Sequence, residues 1–508
     1  MNKLLIPLAL LMLWSCTGQE PEQPNIIFIM TDDHAYQAVG AYGSEINATP
    51  NLDRIADQGI IFRNSFVCNS ICAPSRAALL TGKHSHANGH LDNRHRFDSS
   101  QVTFPKLLRA AGYQTALIGK WHLKSDPTGF DYWNILPGQG SYYNPDFIEM
   151  GRRYRDTGYA TTIITDLAIE WLQKRDTSQP FCLLVHHKAP HRNWMPDTAD
   201  LDLYDGTRFP VPENFFDSYE GREAAAAQEM SVIKDMRMAF DLKITGSAGD
   251  SAPGHEKDFI SYINNRLTPE QRAAWLKEYD SISREFLADP PTGDSLAIYK
   301  LNRYLTDYLR TIESVDRNTG RLLDYLESEG LLKNTLVVYT SDQGFYLGEH
   351  GWFDKRFMYE ESFRTPLMMR LPDNYPAKGE VTQMVQNIDF APTFLEMAGI
   401  EPPEEIQGVS LVPLLKGSKP KRWRDALYYH YYEYPAEHAV KRHYGIRTDR
   451  YKLIHFYNDI DKWELYDLVT DPHEMNNLID DPEYDAVEAD LRQRLEGLRK
   501  LYNVPDEG

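Results

Sequence analysis

The chain is short of cysteine, short of positive charge and short of long apolar runs, and each shortage removes a class of function. Only 4 of its 508 residues are cysteine, too few for a disulfide scaffold. No thiolate or imidazole cluster has the spacing of a zinc site. Lysine and arginine total 54 against 74 acidic residues, a net charge of −20. That excludes nucleic acid as a partner and a generally basic surface for capturing anions. An anionic substrate is left with a local cluster of Lys, Arg, His and metal to bind it, and the repelling periphery favours a small molecule or a chain end over the interior of a long polyanion. Beyond the first residues no segment reads as transmembrane, and repeats and low-complexity tracts are absent. What remains, 42% apolar and 25% charged residues, is a soluble globular composition. Its length calls for one large domain and a smaller one.

The start of the chain reads as a targeting segment. Lys3 gives a positive region, Leu4 to Trp14 an apolar stretch too short to span a bilayer, and Leu13-Trp14-Ser15-Cys16 resembles a bacterial lipobox. Residues 1–15 are then a signal peptide, Cys16 carries the lipid, and 16–24 form a polar tether. The alternative is a plain secretory signal with an incidental cysteine. The expectation is a lipid-anchored lipoprotein of the bacterial cell envelope, in the periplasm or at the outer membrane, that touches membrane only through its anchor. Cys68 and Cys182 either pair in that oxidising compartment or stay as buried thiols, and the sequence leaves both open.

Four apolar runs organise the rest, each followed at once by polar chemistry. Asn25 to Met30 runs into Thr31-Asp32-Asp33, Thr115 to Ile118 into Gly119-Lys120-Trp121-His122, Phe181 to Val185 into His186-His187 and then Ala189-Pro190-His191, and Leu336 to Thr340 into Ser341-Asp342-Gln343. Continuous apolar runs of this length read as strands buried on both faces, hence an α/β fold with a largely parallel sheet. Ligands of such sheets sit beyond the carboxyl ends of the strands, so four motifs point at one crevice. Helices are expected over 50–59, 75–82, 101–112, 161–174 and 298–330. The charged stretch of about 200–295, with a helix start at Thr268-Pro269-Glu270-Gln271, reads as a helical insertion. Short strands over 426–432, 444–447, 451–457 and 463–468, then a helix over 485–501, make a small antiparallel subdomain. The catalytic domain is thus 25–420 and the C-terminal α+β subdomain 421–508.

Asp32, Asp33 and Asp342 with the amide of Gln343 offer hard oxygen ligands suited to Ca²⁺ or Mg²⁺. Each alone is equally well a cap or a surface charge. Lys120, His122 and His191 lie at the same strand ends, and Lys355 follows Asp342 by thirteen residues. Arg76 sits one turn from Cys72 in a segment whose Pro74 suits a first helical turn, placing Cys72 near the positive end of a helix.

The stretch from Cys72 to Lys83, CAPSRAALLTGK, fills every specified position of the signature C-x-P-S-R-x-x-x-L-T-G-[RK]. On it the chain resembles the type I sulfatases, whose maturation enzyme oxidises this cysteine to formylglycine. NIIFIMTDD from Asn25, GKWHL from Gly119, APH from Ala189, SDQGFYLGEHGWFDK from Ser341 and IRTDRYKLI from Ile446 follow the family's pattern in order. The resemblance implies the alkaline-phosphatase-like α/β/α sandwich with a small C-terminal sheet. It also implies one calcium on Asp32, Asp33, Asp342, Gln343 and formylglycine-72, although many relatives carry Asn or His where Gln343 stands. The implied chemistry is attack on sulfur by a hydroxyl of the hydrated aldehyde, held by Arg76. Lys120 binds sulfate oxygens, His191 and Lys355 stand at the leaving oxygen, and His122 deprotonates the second hydroxyl to expel sulfate.

Flanking details resemble the N-acetylglucosamine-6-sulfatase branch: Asn69-Ser70-Ile71, the stretch from Lys83 to Gly89, Gly129-Phe130-Asp131-Tyr132-Trp133, and Tyr142-Tyr143-Asn144-Pro145. That implies removal of 6-O-sulfate from glucosamine residues of heparin or heparan sulfate, a sulfated amino-sugar mono- or oligosaccharide being the substrate. His86, Asn88, His438 and His443 are candidates for the sugar pocket, with surface or turn positions as the plain alternative. The rivals are a sulfatase of another glycan position, a superfamily phosphoesterase, and a glycan-binding lipoprotein in which Cys72 stays a thiol.

Overall fold

A computed structural model describes residues 23–246, 253–418 and 420–506. The signal peptide, Cys16 and most of the tether lie outside the described residues. No helix among those described is long and apolar enough to cross a membrane.

The four apolar runs form the centre of a ten-stranded mixed sheet. They appear as strands Thr335–Ser341, Asn25–Thr31, Phe181–His186 and Gln114–Lys120, adjacent in that order and all parallel. Register is set along the whole length of the first strand: Ile26 faces Cys182 on one side and Leu336 on the other. Shorter strands extend both flanks. Leu367–Arg370 pairs antiparallel with Thr335–Ser341, and Tyr132–Leu136 pairs parallel with Gln114–Lys120.

Alternation along these strands feeds two cores, as a strand's period of two requires. Ile26, Phe28 and Met30 point to one face, where Phe104, Leu108, Phe390 and Phe394 cover them. Phe28 meets Phe390 and Phe394 edge-on at 5.4 and 5.7 Å, a favoured aromatic geometry. Ile27 and Ile29 point to the other face, against Leu52, Ile55, Ile164, Ala168 and Leu322. The first layer holds helices Cys72–Thr81, Phe104–Ala110 and Phe390–Met397; the second holds Pro50–Asp57, Ala160–Lys174 and Gly293–Ser328. This is the expected α/β/α sandwich.

The stretch expected as an insertion carries helices Glu223–Ala226, Pro253–Arg266 and Pro269–Ala288. Thr268 caps the last with a reciprocal box. Its hydroxyl accepts from the Gln271 N–H at 3.3 Å, and the Gln271 amide oxygen accepts from the Thr268 N–H at 2.9 Å. At the C-terminus, strands Ala426–Tyr431, His443–Thr448, Tyr451–Phe456 and Lys462–Asp467 form an antiparallel meander. Its Ala426, Tyr428, Ile446, Leu453 and Leu465 pack on Leu491 and Leu495 of helix Asp485–Leu501. Leu427, Tyr429 and Tyr431 turn inward to the large core beside the crevice.

Candidate active site

The carboxyl ends of the central strands deliver their polar residues to one crevice, and backbone bonds tie those ends together. The Asp32 N–H donates to the Ala189 carbonyl at 3.3 Å, and the Asp342 N–H donates to that of Thr31 at 3.1 Å. Gly119 allows Lys120 into the group. Its φ is +107°, and a Cβ there would lie 1.9 Å from the His186 carbonyl oxygen, so no side chain fits.

The signature forms helix Cys72–Thr81, with all ten residues buried and Gly82 closing it at φ 66°. Cys72 is its first residue, so the side chain sits at the positive helix end facing the strand termini. Its thiol donates to Asp32 Oδ1 at 3.3 Å and accepts from Gln343 Nε2 at 3.6 Å. Arg76, one turn on, donates from Nε and Nη2 to Asp342 Oδ2 at 2.9 and 2.8 Å and from Nη1 to the Lys120 carbonyl at 2.9 Å.

Three buried acid–base pairs result: Arg76 with Asp342, Lys120 with Asp32, and Lys355 with Asp33. Lys355 Nζ reaches both Asp33 oxygens, at 2.6 and 2.7 Å. His191 Nε2 lies 3.8 Å from Asp33 Oδ2. Asp33 occupies a left-handed backbone conformation, φ 71°, uncommon for a residue with a Cβ. Its carbonyl accepts from the Tyr308 hydroxyl at 2.8 Å and its N–H donates to Asp342 Oδ1 at 3.2 Å. The three aspartates thereby present oxygens within 4.8 Å of one another. The Gln343 carbonyl oxygen is buried beside them with no hydrogen-bond partner among the described residues, although such groups are rarely left unmet. Three carboxylates and an orphaned amide oxygen fit a hard divalent cation.

Burial dominates the protonation states. It pushes the Cys72 thiol up to about 12, aided by Asp342 and Asp33 against Lys355 and Arg76. It raises Asp33 to about 6 against the attraction of Lys355. Burial works against the Lys355 ammonium, yet Asp33 and Cys72 hold it above the ordinary lysine value. His122 and His191 are both driven well below the usual histidine range, first by burial and then by the cations around them. Both imidazoles are therefore neutral at rest. His191 Nδ1 lies 2.6 Å from the Arg192 carbonyl oxygen, which can only accept; the proton is on Nδ1, and Nε2 faces Asp33 with its lone pair.

All ten residues expected to form the catalytic and metal centre are thus brought to the crevice. Three of the four expected at a sugar pocket are not. The His86 imidazole meets the Tyr502 carbonyl at 2.9 Å and stacks against His84. Asn88 donates to the Lys83 carbonyl at 2.9 Å, closing the turn after the signature helix. His443 is fully buried, accepting from the Met358 N–H at 3.1 Å among Tyr429, Phe357 and Phe456. His86 and His443 are fixed against the C-terminal subdomain, long-range contacts that local pattern does not reveal, whereas Asn88 is used up within its own turn. His438 lies one layer behind the centre, 3.3 Å from Asp354 Oδ2, beside Lys355. Cys68 and Cys182 are separate buried thiols.

A cleft of about 530 Å³ opens beside His191, lined by Gln139, Tyr142, Lys188, Arg192, Arg237 and Tyr262 among others. Sequence reasoning missed Gln139, Lys188 and Arg192. Gln139 accepts from Lys120 Nζ at 2.5 Å, and Arg192 is held by Asp241 at 2.7 Å. Lys188 was within reach, since it precedes the Ala189-Pro190-His191 motif directly.

The sulfatase family profile matches residues 24–400, and that of the C-terminal part of N-sulphoglucosamine sulphohydrolase matches 348–501. The chain is 52% identical to an N-acetylglucosamine-6-O-sulfatase of Bacteroides thetaiotaomicron, over 100% of this chain and 92% of that one. It is 26% identical to the human N-acetylglucosamine-6-sulfatase, over 82% and 70% respectively. Among solved structures, that of BT4656 in complex with D-glucosamine-2-N,6-O-disulfate matches with a TM-score of 0.92 and 52% identity, covering 96% of this chain and 99% of that one. A phosphonate monoester hydrolase of Agrobacterium radiobacter shares the fold alone, at 21% identity and a TM-score of 0.69.

Proposed function

Because this chain belongs to the sulfatase family and is a sulfuric ester hydrolase, we propose that it removes the 6-O-sulfate of glucosamine residues derived from heparin or heparan sulfate. The observation that carries the sugar assignment is the end-to-end likeness to a relative whose structure holds glucosamine disulfated at N2 and O6.

Oxidation of Cys72 to formylglycine by a maturation enzyme supplies, once hydrated, one hydroxyl to attack sulfur and a second whose deprotonation lets sulfate leave. Asp32, Asp33, Asp342, Gln343 and residue 72 would hold a calcium ion, which when bound would supply positive charge for the sulfate oxygens. The protein's own groups do the rest. Arg76, held by Asp342 and the Lys120 carbonyl, orients the side chain of residue 72. Lys355 carries an ammonium to the sulfate; beside it stands Lys120, whose charge burial disfavours and Asp32 supports. His122, neutral and with its Nδ1 buried and unpartnered, is ready to accept the proton of the second hydroxyl. His191 has its Nε2 free; the charge of an arriving sulfate opposes the burial and the cations that keep the ring neutral, so Nε2 takes up a solvent proton with the substrate and passes it to the departing sugar oxygen.

Two results are expected. Across a panel of defined monosaccharides, 6-sulfated glucosamines bearing N-acetyl, N-sulfo or free amine groups are desulfated, while galactose-6-sulfate and 2-sulfated uronates are not; the reverse ranking removes the assignment. His191→Gln slows glucosamine-6-sulfate turnover by about 10²- to 10⁴-fold but spares 4-nitrophenyl sulfate, whose leaving group needs no proton. Equal losses on both substrates would take the acid role from His191.

A further inference from the structure

Three carboxylates and three basic side chains meet at the centre and pair off completely. Lys188 is a fourth basic group there, and it has no carboxylate. Its residue is only 4% exposed. Its Nζ stands 4.8 Å above the Tyr142 ring, and among the described residues no acceptor bonds to it. A buried ammonium without an acceptor is costly unless it awaits an anion.

Its surroundings say where that anion lies. The His191 N–H donates to the Lys188 carbonyl at 3.0 Å, so one tight turn presents both side chains to the same cleft. The turn is pinned on both sides. The His187 N–H donates to the Met30 carbonyl at 2.8 Å, and the Ala189 carbonyl accepts from Asp32. Burial lowers the Lys188 ammonium to about 8, opposed first by Asp33 and then by Cys72. The main attraction is thus toward Asp33, at the carboxylate cluster beside residue 72. Lys120, His122 and His191 in turn feel the Lys188 charge. Every partner of its field belongs to the reacting centre rather than to the outer cleft.

We propose that Lys188 is a further substrate-binding residue, whose ammonium takes the cleft-side oxygen of the sulfate group, in the ester and in the free product alike. This rests on the sulfatase reading of the centre and not on which sugar carries the ester, so the probes include two without sugar. In the matured full-length enzyme, Lys188→Met and Lys188→Arg are compared for inhibition by inorganic sulfate and for kcat and KM. The substrates are 4-nitrophenyl sulfate and the N-acetyl and N-sulfo forms of glucosamine-6-sulfate.

A lost charge-assisted hydrogen bond predicts that Lys188→Met weakens sulfate inhibition and raises KM by about 10- to 100-fold on all three substrates. kcat should be nearly unchanged, because the contact is equal in ground and transition states. Lys188→Arg should recover most of the loss and, with a melting temperature near wild type, exclude a folding defect. Unchanged sulfate inhibition, a loss confined to the N-sulfo substrate, or a fall in kcat alone would each overturn the proposal.

Discussion

Cys72→Ala is expected to lower kcat by about 10⁵-fold or more, as removal of a nucleophile does elsewhere, while destabilising the fold by only about 1 kcal/mol. The side chain lost is small, and its thiol makes two weak hydrogen bonds, to Asp32 and from Gln343. The deeper expectation concerns wild-type protein that has not been matured. Its Cys72 thiol is buried and pushed up to about 12, so at neutral pH almost none is thiolate, the form that attacks. Unmatured enzyme should therefore match Cys72→Ala in activity and resist alkylation at pH 8 until unfolded. Matured enzyme should show an aldehyde at residue 72 by peptide mass spectrometry and full turnover. Equal turnover by thiol and aldehyde forms would contradict the assignment.

The parts of this site that were legible in the sequence are those whose position follows from local chemistry. A strand buried on both faces has no place for charge, so its first charged or imidazole side chain marks where it leaves the sheet. Asp32, Lys120, His186 and Asp342 are such residues, and they stand at the ends of adjacent parallel strands. The signature from Cys72 reads as one helix because its small residues pack on every side. The long helix Gly293–Ser328 kept its place for a similar reason, its apolar face being continuous against the sheet. His86, Asn88 and His443 were misjudged because their partners lie far along the chain or in main-chain carbonyls. Tyr502 is 416 residues from His86, and nothing near His86 announces it. Lys188 shows the opposite failure. It was adjacent to a recognised motif, but only the pairing of Arg76, Lys120 and Lys355 makes its lack of a carboxylate meaningful.

That pairing also explains how the centre folds before it is loaded. Three buried aspartates repel one another, and Asp33 is raised to about 6 in part by Asp342 and Asp354. Arg76, Lys120 and Lys355 neutralise the group during folding. A divalent cation held by Asp32, Asp33, Asp342 and Gln343 would supply positive charge at the same oxygens that now accept from Arg76, Lys120 and Lys355. Metal binding and anion binding are therefore expected to be linked, each improving the other.

Asp342→Ala is the substitution expected to damage both structure and function most. Asp342 is 1% exposed and Arg76 2%. Removing the carboxylate leaves Arg76 buried with a single bond, to the Lys120 carbonyl, and deprives the Asp33 N–H of its acceptor. Breaking a buried ion pair from one side destabilises by about 3 to 5 kcal/mol, which a urea melt of the metal-free protein measures directly. Replacing both partners with apolar residues of similar size, Arg76→Met with Asp342→Leu, should recover much of that stability, since no charge is then stranded. The double variant should nonetheless be inactive and blind to calcium. Wild-type protein, by contrast, should gain about 2.7 kcal/mol at a calcium concentration a hundred times its Kd. A double variant that still gained stability from calcium would place the cation elsewhere; one no more stable than Asp342→Ala would show that the pair contributes more than neutralisation to the fold.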